Sequence, residues 1–284
     1  MKLGIVLPSR NRPQGLKRMV SSLLDNAAKP DRVRIFVGLD DDDPSLNQTE
    51  DMPNCDRVIR PPQNTVARMI DDLSYKAEQF CDATLRMDDD FICETRGWDD
   101  NCECMTGLGF WLPDDPTHPG HFMSFSGMST QMAGWLRERQ GFVHAPWFPF
   151  WFTDTWLNGL GDMASAKAVL DMKISQPEGR GMTHGLRDLP FWTEFFEGFR
   201  QYRAHIAMHL IEDLYPDGIL KRTALMKVQE RFQIAALLMQ RIKAPEFIAK
   251  TASRAEAFEG TSAFRYRMAK TQAENVIAEA QKAA

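Results

Sequence analysis

The sequence predicts an α/β protein in which a mostly parallel sheet is flanked by helices and a helical region follows toward the C-terminus. Two observations support this fold class. In the first third of the chain, short apolar runs alternate with segments of helical periodicity, which is the order of a β-α-β-α-β unit. In the last third, apolar residues recur at helical spacing between charged residues, as expected for helices that bury one face.

Three apolar runs in the first third are predicted strands. They cover residues 2–7, 32–39 and 83–87, and each is short, rich in Val, Ile, Leu or Phe, and next to turn-forming residues. Continuous apolar runs of this length are typical of strands that are buried on both faces. A parallel, doubly wound sheet is therefore expected.

Two helices are predicted between these strands. The first follows the loop at residues 8–13 and carries apolar residues spaced i, i+3, i+4, i+7 and i+8, namely Leu16, Met19, Val20, Leu23 and Leu24. The second follows Asn64, a candidate N-cap, and carries Val66, Met69, Ile70 and Leu73. Residues at this spacing share one helix face, so each helix is expected to cover one side of the sheet.

The predicted strands end in charged residues. Arg10 follows the first strand, Asp40 the second and Asp88 the third. Ligands of doubly wound sheets bind at the carboxyl ends of the strands, so these three side chains are expected to meet at one edge. The adjoining acids Asp41, Asp42 and Asp43 are interpreted as a solvated turn.

The three consecutive acids at the end of the third strand predict a metal site. Asp88, Asp89 and Asp90 repel one another, and such a cluster is stable at a partly buried strand end only when a cation or several donors neutralise it. Carboxylate oxygens suit Mg²⁺ or Mn²⁺, which commonly bridge a protein to a diphosphate. Since strand side chains alternate, Asp88 and Asp90 are expected to share the ion while Asp89 faces away. The alternative is a solvated acidic turn.

Taken together, these motifs resemble the nucleotide-sugar half of a GT-A glycosyltransferase of the family-2-like group. In that family the first strand ends in a Pro-Ser/Thr-x-Asn-Arg loop, here Pro8-Ser9-Arg10-Asn11-Arg12. The second strand ends in an aspartate, here Asp40, and a DxD signature follows, here Asp88-Asp89-Asp90. Gly97-Trp98 also resembles the family. The resemblance covers about the first hundred residues.

The resemblance implies a metal-dependent transferase that moves a hexosyl or pentosyl group from a nucleotide-diphosphate donor to a hydroxyl acceptor. A UDP-sugar is the favoured donor, and a glycan, a lipid-linked molecule or a modified nucleobase are the acceptors considered. Arg10 stands where the family usually has an aromatic residue, and a guanidinium plane can also stack on a base. The expected donor-binding residues are Pro8, Ser9, Arg10, Arg12, Asp40, Arg68, Asp88, Asp89 and Arg187.

The domain prediction divides the chain at residue 190. Residues 1–190 form the GT-A-like catalytic domain, with a nucleotide-sugar half at 1–100 and an acceptor half at 101–190, and residues 191–284 form the helical region. In the resembling family the acceptor half carries the catalytic acid, and Asp154 lies there among aromatic residues. Asp154 is the predicted general base, with Asp162 as the alternative. A helix N-cap is the structural alternative for Asp154.

A glycine-rich segment late in the predicted catalytic domain is a candidate lid. It contains His184 between Arg180 and Arg187. Many GT-A enzymes have a histidine in this late loop that completes the metal shell. The resemblance therefore implies that His184 is a third metal ligand and that the two arginines close over the diphosphate. A solvent-exposed histidine on a linker is the alternative.

Composition favours a cytoplasmic enzyme. The chain has 284 residues, a net charge of −5 and five cysteines without CxxC spacing, which fits a reducing compartment and gives no argument for nucleic-acid binding. The sequence contains no run of eighteen apolar residues, so no membrane span is predicted. The C-terminal helices are candidates for homo-oligomer contacts. On them, His205 and His209 lie one turn apart and could chelate an ion, although a solvated helix face is the usual explanation.

Two other function classes remain open from the sequence. A nucleotidyltransferase shares a metal and a similar sheet, but it usually opens with a Gly-rich loop that this chain lacks. A catalytically silent nucleotide-sugar-binding or scaffold protein would not need the acidic cluster. Hydrolysis of a nucleotide sugar in the presence of a metal would exclude a pure scaffold.

Overall fold

The computed structural model of the chain describes residues 1–61, 66–116, 122–146, 148, 152–177, 193 and 196–228. Its strands are β1 (Leu3–Pro8), β2 (Val33–Asp40), β3 (Cys55–Arg60), β4 (Ala83–Arg86), β5 (Ile92–Cys93), β6 (Phe110–Asp114), β7 (Gly127–Ser129) and β8 (Lys167–Ser175). Its α-helices are α1 (Pro13–Asn26), α2 (Val66–Glu78), α3 (Trp98–Asn101), α4 (Thr130–Gln140), α5 (Thr153–Ala164) and α6 (Arg200–Leu214). The three predicted strands are confirmed to within one residue at each end.

Within the described residues, eight strands form one sheet in the order β3-β2-β1-β4-β7-β6-β8-β5. Strands β3, β2, β1 and β4 are parallel to one another, and β8 is parallel to β6. The antiparallel pairings are β4 with β7, β7 with β6, and β5 with β8. The predicted α/β class with a sheet flanked by helices is confirmed, and the sheet is mixed beyond β4.

Helices α1 and α2 cover opposite faces of the parallel strands because the side chains of β1 alternate. Leu3, Ile5 and Leu7 pack in one apolar cluster with the buried face of α1. Val6 packs in a second cluster with the buried face of α2. Burial of each such side chain contributes about 1.5–3 kcal/mol. The periodicity that predicts the two helices is therefore also what attaches them to the sheet.

Strand β3 is missing from the sequence prediction, which passes from the second strand directly to the second helix. The strand is the edge of the sheet, and its residues are mostly half-buried or exposed. An edge strand buries little apolar surface, and in the run Cys55–Arg60 only Val58 is buried, so the apolar signal is weak. Only its parallel pairing with β2 reveals it.

The chain divides into two compact units, and each is described by itself. Residues 1–135 and 167–179 form the first unit, which holds the sheet, and residues 136–166 and 180–284 form the second. In the second unit α5 packs against α6 around buried aromatic side chains, among them Phe148, Phe152 and Trp156. The predicted boundary at residue 190 lies outside the described residues and stays a prediction.

The described part of the C-terminal region is helical, as predicted. Helix α6 ends at Leu214, and residues 219–228 form a further helical segment after the predicted break at Pro216-Asp217-Gly218. The rest of that segment to Ile242 and the predicted helix at 263–283 lie outside the described residues. In the portion of the chain that the structure describes, none of the helices has the length and apolar character that a membrane crossing requires.

Candidate functional site

The carboxyl ends of β1, β2 and β4 lie side by side. The Ser9 N–H donates to the Gly38 carbonyl at 2.9 Å, and the Met87 N–H donates to the Val6 carbonyl at 2.9 Å. These bonds extend the parallel ladders beyond the last paired residues of β1 and β4. The loops that follow the three strands, at residues 9–12, 41–45 and 87–91, are therefore held next to one another.

Arg10 joins the first of these loops to the second. Its guanidinium Nη1 donates to Asp40 Oδ2 at 2.6 Å and to Asp42 Oδ1 at 2.5 Å. The hydrogen bonds to Asp42 and Asp40 raise the pKa of Arg10, and the pairing with Arg10 lowers the pKa of Asp42. The Arg10 side chain is still 47% exposed. A flat, charged guanidinium group therefore reaches solvent at the edge where the family resemblance implies a nucleobase.

Asp43 is buried, so its interpretation as part of a solvated turn is wrong. Its Oδ2 accepts the Asn11 N–H at 3.0 Å, and its Oδ1 accepts the N–H and hydroxyl of Ser45, each at 2.7 Å. Burial alone would raise the pKa of Asp43, but the hydrogen bonds from the Asn11 and Ser45 N–H groups lower it below its usual value. Asp43 thus holds the first loop against the second, while Asp41 and Asp42 are exposed as expected.

Asp89 is the acid that ties the first loop to the third. The Ser9 hydroxyl donates to Asp89 Oδ2 at 2.6 Å, and Arg12 Nη1 lies 3.1 Å from Asp89 Oδ1. Burial raises the pKa of Asp89 to about 6, although the Ser9 hydrogen bond and the Arg12 charge oppose the shift. A carboxylate this buried needs these partners to stay ionised.

The two acids on either side of Asp89 have different partners. Asp90 Oδ2 lies 3.2 Å from Arg12 Nη1 and accepts the Gln176 amide Nε2–H at 2.8 Å. Asp88 Oδ1 accepts a hydrogen bond from Arg86 Nη2 at 2.9 Å. Asp89 and Asp90 therefore converge on one guanidinium nitrogen, and the expectation that Asp89 faces away from Asp90 is wrong.

The reason is that the strand ends before the acids begin. Strand β4 ends at Arg86, and residues 88–90 lie in a loop. Its antiparallel partner β7 pairs only with Ala83, Thr84 and Leu85. Without a strand ladder, the alternation of side chains no longer holds. Turn geometry decides where each carboxylate points.

The donor chemistry of this loop fits a divalent ion. Asp88 and Asp90 offer hard oxygen atoms, and the Asp88 side chain is 37% exposed whereas those of Asp89 and Asp90 are about a tenth exposed. Arg12 and Arg86 already neutralise part of the acidic charge, so an ion would share these carboxylates with them. Within the described residues, no three or more His, Cys, Asp or Glu side chains are grouped to hold a metal ion.

Gly15, in the first turns of α1, lets that helix lie against the acidic loop, which is the loop at residues 87–91 that carries Asp88, Asp89 and Asp90. A Cβ atom at Gly15 would lie 2.6 Å from the carbonyl oxygen of Asp89, a distance that requires the backbone to move. The close approach brings the start of α1, whose first N–H groups have no partner within the helix, next to the buried acid. A side chain at this position would therefore displace the acidic loop.

We expect Gly15→Ala to lower the free energy of unfolding by about 1–3 kcal/mol, the usual cost of overpacking. The matched control is Gly134→Ala in α4, where a Cβ would meet nothing within 4 Å. Because alanine favours helices, the control is expected to be neutral or to gain about 0.5–1 kcal/mol. Urea denaturation measures both variants. Equal effects would show that the close approach is unimportant.

The remaining predicted site residues lie elsewhere or outside the described residues. Asp154 is in the first turn of α5, in the second unit, and its Oδ1 accepts the Thr155 N–H at 2.7 Å. The N-cap of α5 is Phe152, so the alternative that Asp154 is the cap is wrong. Asp162 is exposed on the same helix and accepts the Asn158 amide N–H at 2.9 Å.

Three predicted donor- or metal-binding residues remain to be located, namely Arg68, His184 and Arg187. Arg68 is exposed in the first turn of α2. His184 and Arg187 lie outside the described residues, so their roles stay predictions from the sequence. The structure thus brings Ser9, Arg10, Arg12, Asp40 and the acidic loop to one edge.

Two residues of this edge escape the sequence prediction. Gln176 follows β8 and is 86 positions from the Asp90 that it contacts, and no local pattern indicates it. Asp43 could have been found, because an aspartate two residues before a serine is typical of a turn in which the carboxylate accepts the following N–H groups. The run of four acids from Asp40 to Asp43 hides that signal.

Comparison with known proteins finds similar folds among solved structures only. No family model matches the sequence, and neither does any curated protein. Among solved structures, S. aureus TarS 1-349 in complex with UDP-GlcNAc matches with a TM-score of 0.55 and 9% identity, over 98% of this chain and 82% of that chain. The same protein in complex with UDP matches with a TM-score of 0.52 and 9% identity, over 81% and 71%. The chain therefore has the fold of the GT-A glycosyltransferases.

Proposed function

We propose that this chain is a metal-dependent glycosyltransferase that uses a nucleotide-diphosphate sugar. One observation carries the proposal. In a GT-A fold, the loop after β1 places Arg10 against Asp40 and Arg12 against Asp89 and Asp90, so basic and acidic groups are concentrated where the parallel strands end. Such strand ends are the ligand-binding edge of doubly wound sheets.

A UDP-sugar is the proposed donor. The structural neighbour TarS is solved with UDP and with UDP-GlcNAc. In this chain, the half-exposed guanidinium group of Arg10 can stack on a base, and Asp40, at the end of β2, is held beside it. A hydroxyl on a glycan, a lipid-linked molecule or a modified nucleobase is the proposed acceptor.

Asp88 and Asp90 are the proposed ligands of a divalent ion, Mn²⁺ or Mg²⁺. The ion supplies neutralising charge for the diphosphate leaving group when it is bound. Arg12, which already contacts Asp89 and Asp90, is placed to hold the acidic loop in one arrangement. His184 as a third ligand and Arg187 as a diphosphate contact belong to the proposal on sequence grounds alone.

Asp154 is the proposed general base. It would accept the proton of the acceptor hydroxyl while that oxygen bonds to the anomeric carbon and the bond from this carbon to the diphosphate breaks. This assignment assumes inversion at the anomeric carbon. Phe152, two residues earlier, has a φ of 73°, and a bulky residue in the left-handed region costs about 1–3 kcal/mol. Such strain is concentrated at functional sites, which supports a role for the start of α5.

Two properties of the proposal rest on composition and on the helical C-terminus. We propose a cytoplasmic location on the sequence ground that none of the five cysteines has CxxC spacing. Homo-oligomer formation through the C-terminal helices stays a prediction. Size-exclusion chromatography with light scattering measures the oligomeric state directly.

The experiment that tests the function combines binding with product analysis. We expect UDP to raise the melting temperature in the presence of Mn²⁺ and to have little effect in EDTA, because binding to the native state stabilises it by mass action. With UDP-GlcNAc and Mn²⁺, slow release of UDP without acceptor is expected. A nucleotidyltransferase would instead release pyrophosphate from a nucleoside triphosphate and a sugar phosphate. Binding without any product would favour a scaffold.

A further inference from the structure

Helix α6, in the second unit, presents two histidines on its surface. Its buried side includes Ile206, Leu210 and Ile211, which hold the helix within the unit. His205 is exposed and the His209 side chain is 31% exposed. Because the two residues are four positions apart, their side chains lie on the same side of the helix, one turn above the other. The backbone that carries them is therefore fixed by packing.

The two imidazole rings are arranged to share one ion. His205 Nε2 lies 3.1 Å from His209 Nε2, and the ring planes meet at 78° with centroids 4.4 Å apart. Bonds from Zn²⁺ to imidazole nitrogen are about 2.0–2.1 Å long. Two such bonds to atoms 3.1 Å apart subtend roughly 95–100° at the ion, which is between the octahedral and tetrahedral angles. The separation of the two nitrogen atoms therefore fits a shared ion.

Glu212 orients one of the two rings. Its Oε2 lies 3.2 Å from His209 Nδ1, so the Nδ1–H of His209 donates to the carboxylate and the lone pair on Nε2 points away from Glu212. A carboxylate that holds the second nitrogen of a histidine in this way is the usual outer partner of a metal-bound imidazole. It selects the tautomer that can bind a metal and increases the basicity of Nε2.

Without a metal, the contact between the two rings is a hydrogen bond between their Nε2 atoms. Since His209 Nε2 carries a lone pair, the Nε2–H of His205 donates to it across the 3.1 Å gap. When an ion takes the place of this hydrogen, His205 changes tautomer and its proton moves to Nδ1 through solvent. The exchange balances, because the proton that leaves Nε2 of His205 is retained on its Nδ1.

We propose that His205 and His209 form a binding site for a borderline transition-metal ion, with Zn²⁺ as the expected ion and Glu212 as a positioning residue. The site has two protein ligands, and water fills the remaining coordination positions. Imidazole nitrogen suits Zn²⁺, Ni²⁺ and Cu²⁺, whereas Mg²⁺ and Mn²⁺ prefer oxygen. The site is therefore chemically distinct from the acidic loop of the first unit and does not depend on the proposed glycosyltransferase function.

Titration of the full chain with Zn²⁺ against a chromophoric chelator tests the site. We expect His205→Gln and His209→Gln each to weaken one Zn²⁺ site at least about tenfold, since loss of an outer partner alone commonly costs that much. The matched control is the double variant His118→Gln and His121→Gln, which removes two other histidines of this chain and is expected to leave the site unchanged. Excess Mg²⁺ is expected not to compete. Unchanged Zn²⁺ affinity in both single variants would overturn the proposal.

A spectroscopic measurement counts the ligands. With Cu²⁺ as the probe, pulsed electron paramagnetic resonance is expected to detect two coordinated imidazoles in the native chain and one in His205→Gln. Glu212→Ala is expected to weaken Zn²⁺ binding, while Glu212→Gln, whose amide oxygen can still accept the Nδ1–H, recovers most of the affinity. A native spectrum with fewer than two imidazoles would overturn the chelate, and equal affinities of the two Glu212 variants would overturn the positioning role.

Discussion

Asp154→Asn is expected to lower the turnover of sugar transfer by about 10²- to 10⁴-fold, the range that a general base contributes. The Asn side chain has nearly the same shape, and its carbonyl oxygen can still accept the Thr155 N–H that Asp154 accepts at 2.7 Å. The start of α5 is therefore expected to keep its conformation. Steady-state release of the nucleoside diphosphate measures the loss, and donor affinity is expected to be unchanged.

Two comparisons distinguish a base from a structural acid. Asp162→Asn is the matched control, because Asp162 lies exposed on the same helix. Turnover that falls only in the Asp162 variant would transfer the role to that residue. A lower melting temperature of Asp154→Asn, with normal turnover in the folded fraction, would instead show that the carboxylate serves the first turn of α5. A retaining enzyme would tolerate both substitutions.

Asp90→Asn is expected to weaken binding of UDP in the presence of Mn²⁺ by at least about tenfold, the lower end of losses seen for partners of metal ligands. Asn can still accept the Gln176 N–H that Asp90 Oδ2 accepts at 2.8 Å. The substitution therefore removes the negative charge but is expected to keep the conformation of the loop. Isothermal titration with UDP in Mn²⁺ and in EDTA measures the difference. We expect the two affinities to become nearly equal in the variant.

The neighbouring acids provide controls for this second experiment. Asp41→Asn changes an exposed acid just beyond β2 and is expected to leave metal-dependent binding intact. Asp89→Asn removes a buried charge that faces Arg12. Because burial raises the pKa of Asp89 to about 6, the folded chain favours the neutral form, so the variant is expected to keep or slightly raise the free energy of unfolding at pH 7. Equal UDP affinity in Mn²⁺ and EDTA for the native chain would contradict the metal site altogether.

The sequence predicts the β1-α1-β2 and α2-β4 segments because each buries a continuous face. An apolar run such as residues 3–8 or a helical stripe such as that of α1 is a local pattern, and tertiary structure only confirms it. The position of each charged residue, Arg10, Asp40 and Asp88, directly after its own apolar run is an equally local pattern. Their convergence follows from the geometry of parallel strands, and for this reason the edge could be located before the fold was known.

The sequence by itself determined the α/β class, the two flanking helices and the edge at which charged residues gather. Only the tertiary structure decided how those charges pair. Arg12 contacts Asp89 and Asp90, and Gln176 contacts Asp90, across 77 or more positions of chain. These partners depend on where β4 leaves the sheet, which is after Arg86, the last residue that pairs with β1. Pairing between distant segments leaves no periodic trace in either one, so the direction of each carboxylate could not be read from the sequence.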